Sequence, residues 1–188
     1  MKVLLVNGSQ HKNGETYTAL SIVEESLKSN GIDVEWFWIG NKPVRGCIGC
    51  NGCAKKYRCV FNDDVANQLL EKMLDADGII IGTPVYFSGP NGALTAVLDR
   101  VFYAGQSYGN LFIGKPASAI ATMHRSGANH AIDRINKYFA FNNMPIVTGN
   151  YWGFKFGDDS IIPDDKKGKN TMYSIGKNMA EMLKKLNN

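Results

Sequence analysis

The sequence predicts a single doubly wound α/β domain: a five-stranded parallel sheet in the order 2-1-3-4-5 with helices on both faces. Three observations lead there. Short continuous apolar runs at Val3-Leu4-Leu5-Val6, Gly78-Ile79-Ile80-Ile81-Gly82 and Ala117 to Thr122 read as strands buried on both faces. Between them lie stretches whose apolar residues recur three and four apart, so strands and helices alternate along the chain. Each run also opens into a loop rich in Gly, Ser, Thr or Pro, at the carboxyl edge of the sheet where folds of this class bind ligands. With right-handed crossovers the topological switch falls between the first and third strands, so the loops at 8–16 and 83–90 meet across one crevice.

The elements follow in order. After Val3–Val6 the pattern Thr16, Leu20, Val23, Leu27 predicts a helix over 15–29, stopped by Asn30-Gly31. Ile32 to Ile39 alternates around Val34, Trp36 and Trp38, a strand whose tryptophans are expected in the core. Residues 40–62 lack periodicity and form a long cysteine-rich loop. Asp63-Asp64 then cap a helix with Val65, Leu69, Met73 and the parallel row Leu70 and Leu74 facing inward. Leu94, Val97, Leu98 and Val101 mark the helix after the third strand, and Ile132, Ile135 and Phe139 the one after the fourth. The fifth strand is expected around Pro145-Ile146-Val147, a polar irregular stretch over 151–169, and a last helix through Tyr173, Ala180 and Leu183.

At 188 residues, 44% hydrophobic and 20% charged, the chain has the composition of an ordinary globular domain. Only four strongly apolar residues precede Asn7, too few for a signal-peptide core, and no run reaches the roughly 18 residues of a membrane span. A cytoplasmic protein is expected. The net charge of +4 is scattered rather than gathered in a stripe, which argues against nucleic acid as a partner.

The loop Gly8-Ser9 to Thr16 suits an anion. Glycine permits close backbone approach, hydroxyls are at hand, and the free N–H groups of a helix start favour phosphate. An ordinary helix cap explains the same residues equally well. No G-x-G-x-x-G is present, and the near-match to a P-loop, Gly109 through Gly114-Lys115, has Pro116 where a magnesium-binding hydroxyl belongs. The phosphate must belong to another ligand. Pro84, Val85 and Tyr86 in the facing loop suit a flat ring, and flavin mononucleotide supplies both halves. His124 and Arg125 in a third loop are candidates for a proton donor and a nicotinamide-phosphate partner, or are plain loop residues.

All four cysteines fall between Cys47 and Cys59 in the spacing C-x2-C-x2-C-x5-C, among Gly46, Gly49 and Gly52. This is close to the compact run that holds a [4Fe–4S] cluster and unlike the longer spacing of zinc ribbons. Zinc, a redox disulfide and free thiols stay open as alternatives.

Gly8-Ser9-Gln10-His11-Lys12-Asn13-Gly14-Glu15-Thr16 and Thr83-Pro84-Val85-Tyr86-Phe87 resemble the two FMN loops of the flavodoxin-like NAD(P)H-dependent FMN reductases. Gly92-Ala93-Leu94 and Leu98-Asp99-Arg100 are similar to that family too, and Cys47 to Cys53 followed by Cys59 to Asp64 resembles its iron–sulfur flavoprotein branch. The likeness runs from residue 1 to about 150 of the chain. It implies that Ser9, Lys12, Asn13, Gly14 and Thr16 hold the phosphate. Thr83, Pro84, Val85, Tyr86 and Phe87 would border the isoalloxazine, and Cys47, Cys50, Cys53 and Cys59 would ligate a cluster. It implies an FMN oxidoreductase fed by NAD(P)H or a reduced redox protein, serving a small-molecule or protein acceptor and assembled as a homodimer or homotetramer. A non-enzymatic FMN electron carrier, a cluster-free FMN or quinone reductase and a zinc-bearing interaction module are the rival readings.

Overall fold

The computed structural model describes residues 1–107, 109–151, 154–155 and 165–187, with backbone alone for 154–155. Strands β1 (Lys2–Asn7), β2 (Asp33–Trp38), β3 (Gly78–Tyr86), β5 (Ala117–Met123) and β6 (Phe154–Lys155) pair in parallel in the order β2-β1-β3-β5-β6. The two-residue β4 (Gly89–Pro90) folds back antiparallel on the end of β3. Apart from that hairpin, the parallel strands follow the expected order.

Period-two alternation divides β1 between two cores. Val3 and Leu5 face one side, with Ile80 of β3 and Ile120 of β5, and are covered by α1 (Glu15–Ser29) and α5 (Lys166–Leu186). Leu4 and Val6 face the other, with Ile79 and Ile81, under α2 (Ala66–Asp75), α3 (Gly92–Gln106) and α4 (Ala128–Phe141). Residues 3–6 are wholly inaccessible to solvent, which explains their unbroken hydrophobicity. Among the described residues no helix is long and apolar enough to cross a membrane.

Several expectations are corrected, among them the inward placement of Leu74, which lies exposed on the last turn of α2. Ile146 makes only an isolated bridge to Ala117, and ladder pairing resumes at Phe154–Lys155 beside Thr122 and Met123. The partners of 117 and 122 thus lie eight residues apart along the chain, not five, so the two pairings are out of step by three residues. An edge strand tolerates this because it satisfies only one neighbour, and Pro145 brings no N–H to a ladder. Trp36 and Trp38 are only half-buried, because β2 is the opposite edge: Trp36 packs on Tyr17 with ring centroids 4.9 Å apart, and Trp38 donates from Nε1 to the Ser9 carbonyl at 2.8 Å. Finally, Asp63 does not cap α2; it is exposed and pairs with Arg45 at 3.5 Å, whereas Asp64 accepts from the Ala66 N–H at 3.0 Å. Much of the stretch expected to be irregular, at 151–169, lies outside the described residues, and α5 begins earlier than its apolar pattern suggested because Asp165 caps it through the Gly168 N–H at 2.8 Å.

The carboxyl ends of β1 and β3 touch: the Gly8 N–H donates to the Gly82 carbonyl at 2.8 Å. A Cβ on Gly8 would stand 2.5 Å from Leu94 Cδ2 and 2.7 Å from that carbonyl. Gly8→Ala is therefore expected to destabilise the protein by about 1–3 kcal/mol in a denaturant titration. Gly92→Ala, at a position with open space around it, should stay within about 0.5 kcal/mol of the parent; equal stabilities would remove the close approach as a constraint.

Candidate functional site

The first loop is curled by a buried side chain. Asn7, at the end of β1, accepts from the Ser9 N–H at 3.0 Å and donates to the Lys12 carbonyl at 3.0 Å. Ser9 is buried, its hydroxyl accepting from the His11 N–H at 3.1 Å. Thr16 is buried as well, with its hydroxyl 2.9 Å from that of Thr122 on β5. His11, Lys12 and Asn13 are left exposed, with the Lys12 ammonium 5.8 Å from the Trp38 ring centroid. Behind them α1 starts at Gly14 with no side chain capping its N–H groups. That combination of open amides and a nearby ammonium is suited to an anion. Glu15 is exposed on the first turn, its carboxyl pKa raised by desolvation, which disfavours a charge that would oppose the anion.

The second loop faces it across the switch point. Thr83 is buried and accepts from the Asn91 N–H at 3.0 Å, while Asn91 caps α3 by accepting from Ala93 and Leu94 at 2.8 and 3.1 Å. Pro84 and Val85 are half-buried, Tyr86 is exposed, and Phe87 stands fully in solvent at the hairpin tip. Phe87 and Ser88 both have positive φ, 48° and 62°, the backbone of a tight hairpin turn built without glycine. A bulky residue there carries strain, and such strain collects at ligand-binding loops. The third loop closes on the second at Gly127, φ 95°, where a Cβ would lie 2.9 Å from Ser88 Cα. His124 and Arg125 on that loop are exposed. The structure thus sets the two loops side by side at the carboxyl ends of β1 and β3, joined by the Gly8–Gly82 bond, but turns the Ser9, Thr16 and Thr83 hydroxyls to protein partners.

The four cysteines lie elsewhere, against α2 and α3. Together with Ile48, Val60, Phe61, Arg100 and Tyr103 they line one small concavity. Cys47 and Cys50 are exposed, Cys53 is buried, Cys59 is half-buried, and all are free thiols. Among the described residues no three His, Cys, Asp or Glu side chains already sit in metal-binding geometry. The donor set nonetheless fits a thiophilic group, because all four sulfur-bearing residues border the same space and Gly49 and Asn51, with φ of 64° and 54°, curl the loop around it.

One face of α3 holds this loop at helical spacing. Arg100 Nε donates to Cys59 Sγ at 3.3 Å, the Tyr103 hydroxyl to Asn51 Oδ1 at 2.6 Å, and the Ser107 hydroxyl to the Cys53 carbonyl at 3.1 Å. From α2, Asn67 takes both ends of the Cys59 peptide, accepting from its N–H at 2.9 Å and donating to its carbonyl at 3.0 Å. Arg100 also pairs with Asp64, both side chains nearly inaccessible. Burial by itself would raise the Asp64 pKa, but the Ala66 N–H, Arg100 and the Arg45 N–H hold the carboxyl below its ordinary value. Burial likewise works against the Arg100 charge, and its bonds to Cys59 and Asp64 more than offset this. Sequence reasoning did not single out Asn7, Asn67, Asn91, Tyr103 or Ser107, and read Asp64 as a cap and as the end of the Cys59–Asp64 resemblance. The one local signal was Arg100 itself, a charge between the apolar positions Leu98 and Val101 on a core-facing helix.

Comparison with known proteins gives the family and the fold. The sequence pattern of the family described as NADPH-dependent FMN reductase matches residues 1–159. An iron-sulfur flavoprotein of Methanocaldococcus jannaschii is 32% identical, with 98% of each chain covered. One from Methanosarcina thermophila is 26% identical, covering 97% of this chain and 95% of its own. Among solved structures, a flavodoxin from the domain Archaea superposes with a TM-score of 0.64 at 16% identity, covering 98% of this chain and 99% of its own. A WrbA-like flavodoxin from Agrobacterium tumefaciens gives 0.66 at 13%, covering 98% and 97%. The fold is flavodoxin-like, and the chain belongs to the NADPH-dependent FMN reductase family, in its iron–sulfur flavoprotein branch.

Proposed function

We propose that this protein is an FMN-dependent oxidoreductase that accepts reducing equivalents from NAD(P)H or a reduced redox protein and passes them to a small-molecule or protein acceptor, with a [4Fe–4S] cluster on Cys47, Cys50, Cys53 and Cys59. The observation that carries the flavin is the uncapped start of α1, which follows a strand paired to β3, whose own carboxyl-end loop is apolar and aromatic, all within the segment matched by the FMN reductase family. FMN would supply the hydride and electron chemistry at its ring. The chain's part is to bind and orient. Lys12, Asn13 and the amides after Gly14 would hold the phosphate, since these groups are exposed while Ser9 and Thr16 are bonded inward. Pro84, Val85 and Tyr86 would lie along the ring, with Thr83 fixing their backbone from beneath and Phe87 limiting access of water. No side chain acts as a nucleophile in this scheme.

The reading of the cysteines rests on their shared concavity and on the names of the relatives. A basic, exposed collar flanks them in the chain: Lys42, Arg45, Lys55, Lys56 and Arg58 lie between Gly40 and Asn62, a stretch without Asp or Glu, with Arg45 paired to Asp63 and Arg58 to Glu71 from outside it. Such a collar favours an acidic protein as one-electron partner. Free thiols accord with a reducing cytoplasm. The exposed Tyr86 and Phe87 offer a second subunit an apolar contact beside the crevice, in keeping with a homodimer or homotetramer.

Anaerobically purified protein is expected to show flavin absorption, oxidise NADH or NADPH in steady state, and hold about four irons per chain. Flavin bands without iron would leave a cluster-free reductase, and flavin reduction without turnover an electron carrier; Cys50→Ala with Cys53→Ala should abolish iron and retain FMN. Lys12→Ala with Asn13→Ala should weaken FMN binding about tenfold or more, the effect of losing a charge-assisted hydrogen bond. An unchanged flavin titration would move the phosphate elsewhere. Electron transfer from an acidic protein donor should slow as salt rises, and slow likewise in Lys55→Glu with Lys56→Glu, with NAD(P)H oxidation unaffected; salt-independent rates would remove the collar from the docking surface.

A further inference from the structure

We propose that Arg100 is a positioning residue that raises the reduction potential of the cysteine-bound group, because the geometry aims its Nε–H at the Cys59 sulfur from a buried, fully pinned guanidinium. The inference rests on the reading of the four cysteines as cluster ligands. It concerns a residue that contacts one ligand sulfur from the protein side.

Each of the other two nitrogens of Arg100 is also engaged. Nη1 meets Asp64 and the Arg45 carbonyl, the latter at 3.3 Å, and Nη2 donates to the Phe61 carbonyl at 2.9 Å. Nε carries a single N–H, and at 3.3 Å that bond falls on Cys59 Sγ. The side chain is 1% exposed, so it cannot swing into solvent and keep its charge solvated. The acceptor is held with equal firmness: Asn67, itself buried, takes both the N–H and the carbonyl of Cys59. Donor and acceptor are thus fixed from different helices, α3 and α2. Cys47 and Cys50 face solvent and Cys53 lies in the apolar core, whereas Cys59 receives a charged donor from the protein.

The direction of the effect follows from charge. A metal-bound thiolate carries negative charge, and reduction adds an electron that its sulfur shares. A hydrogen-bond donor at the sulfur therefore stabilises the reduced state more than the oxidised one and raises the potential. Asp64 offsets the guanidinium's net charge, so what reaches the sulfur is mainly the directed N–H dipole, in surroundings where poor solvation strengthens it. A helix strut that merely joined α3 to the loop would need the contacts to the Arg45 and Phe61 carbonyls but not the one to sulfur. The two roles separate experimentally.

The full-length protein, prepared and kept without oxygen, is assayed for iron and acid-labile sulfide. Its cluster midpoint is then read by a redox titration monitored by electron paramagnetic resonance. Two variants are compared: Arg100→Lys, which keeps a cation for Asp64 but loses the Nε–H, and Asp64→Asn with Arg100→Met, which removes donor and charge pair together without leaving either charge alone. The double variant is expected to keep its iron and shift the midpoint negative by at least about 59 mV, a tenfold change in a one-electron equilibrium, and Arg100→Lys to shift less in the same direction. Retained iron with an unshifted midpoint in the double variant overturns the inference and leaves the cysteine reading intact. Loss of iron or of the fold from both variants assigns Arg100 a strut's role alone and also overturns it. Parent protein that holds no iron overturns the cysteine reading and this inference together.

Discussion

The side-by-side pairing of β1 with β3 constrains most of what surrounds it. β1 sits between β2 and β3 with Val3 to Val6 shut off from solvent on both faces, so the chain must leave it through α1 on one face and return to β3 through α2 on the other. The loops that follow β1 and β3 therefore start side by side and depart in opposite directions, which opens a crevice between them. The bond from the Gly8 N–H to the Gly82 carbonyl forms its floor, and only glycine allows the backbone that close to Leu94. Polar and aromatic groups come to the rim because the strands beneath are committed to the core.

A single rigid element serves both sites. The start of α3 fixes the second loop through Asn91, and the turns that follow fix the cysteine loop through Arg100, Tyr103 and Ser107. From residue 91 to residue 100 a helix rises about 13 Å. The crevice and the cysteine concavity are thereby held in a set relation by one helix, although the cysteine loop itself has almost no regular structure. Its order comes from polar side chains reaching out of α2 and α3, which satisfy backbone groups that a loop cannot satisfy alone.

The buried Arg100–Asp64 pair is costly in isolation, since two desolvated charges seldom gain as much from each other as they lose to water. It is offset by a full set of partners: two backbone carbonyls and a sulfur for the guanidinium, two backbone amides for the carboxylate. Such a network specifies one arrangement of the loop, because any other would leave a charge unpaired in the interior.

How far the sequence could be read divides along the range of the interactions. Apolar runs and helical periods are local, and from them came the alternating elements, the bounds of α1 and the three loops at the carboxyl edge, while the strand order came from the fold class that this alternation suggests. The cysteine spacing is equally local, so the confinement of four thiols to one loop was plain from residues 47–59. Tertiary structure alone decided which way the polar groups turn. Thr16 reaches Thr122 across 106 residues of chain, and Arg100 reaches Cys59 across 41, and no periodicity encodes either meeting. It also decided the break in the fifth strand: an edge strand needs a partner on one side only, so a change of step there costs little, while the same break in β1 would expose unpaired amides in the core.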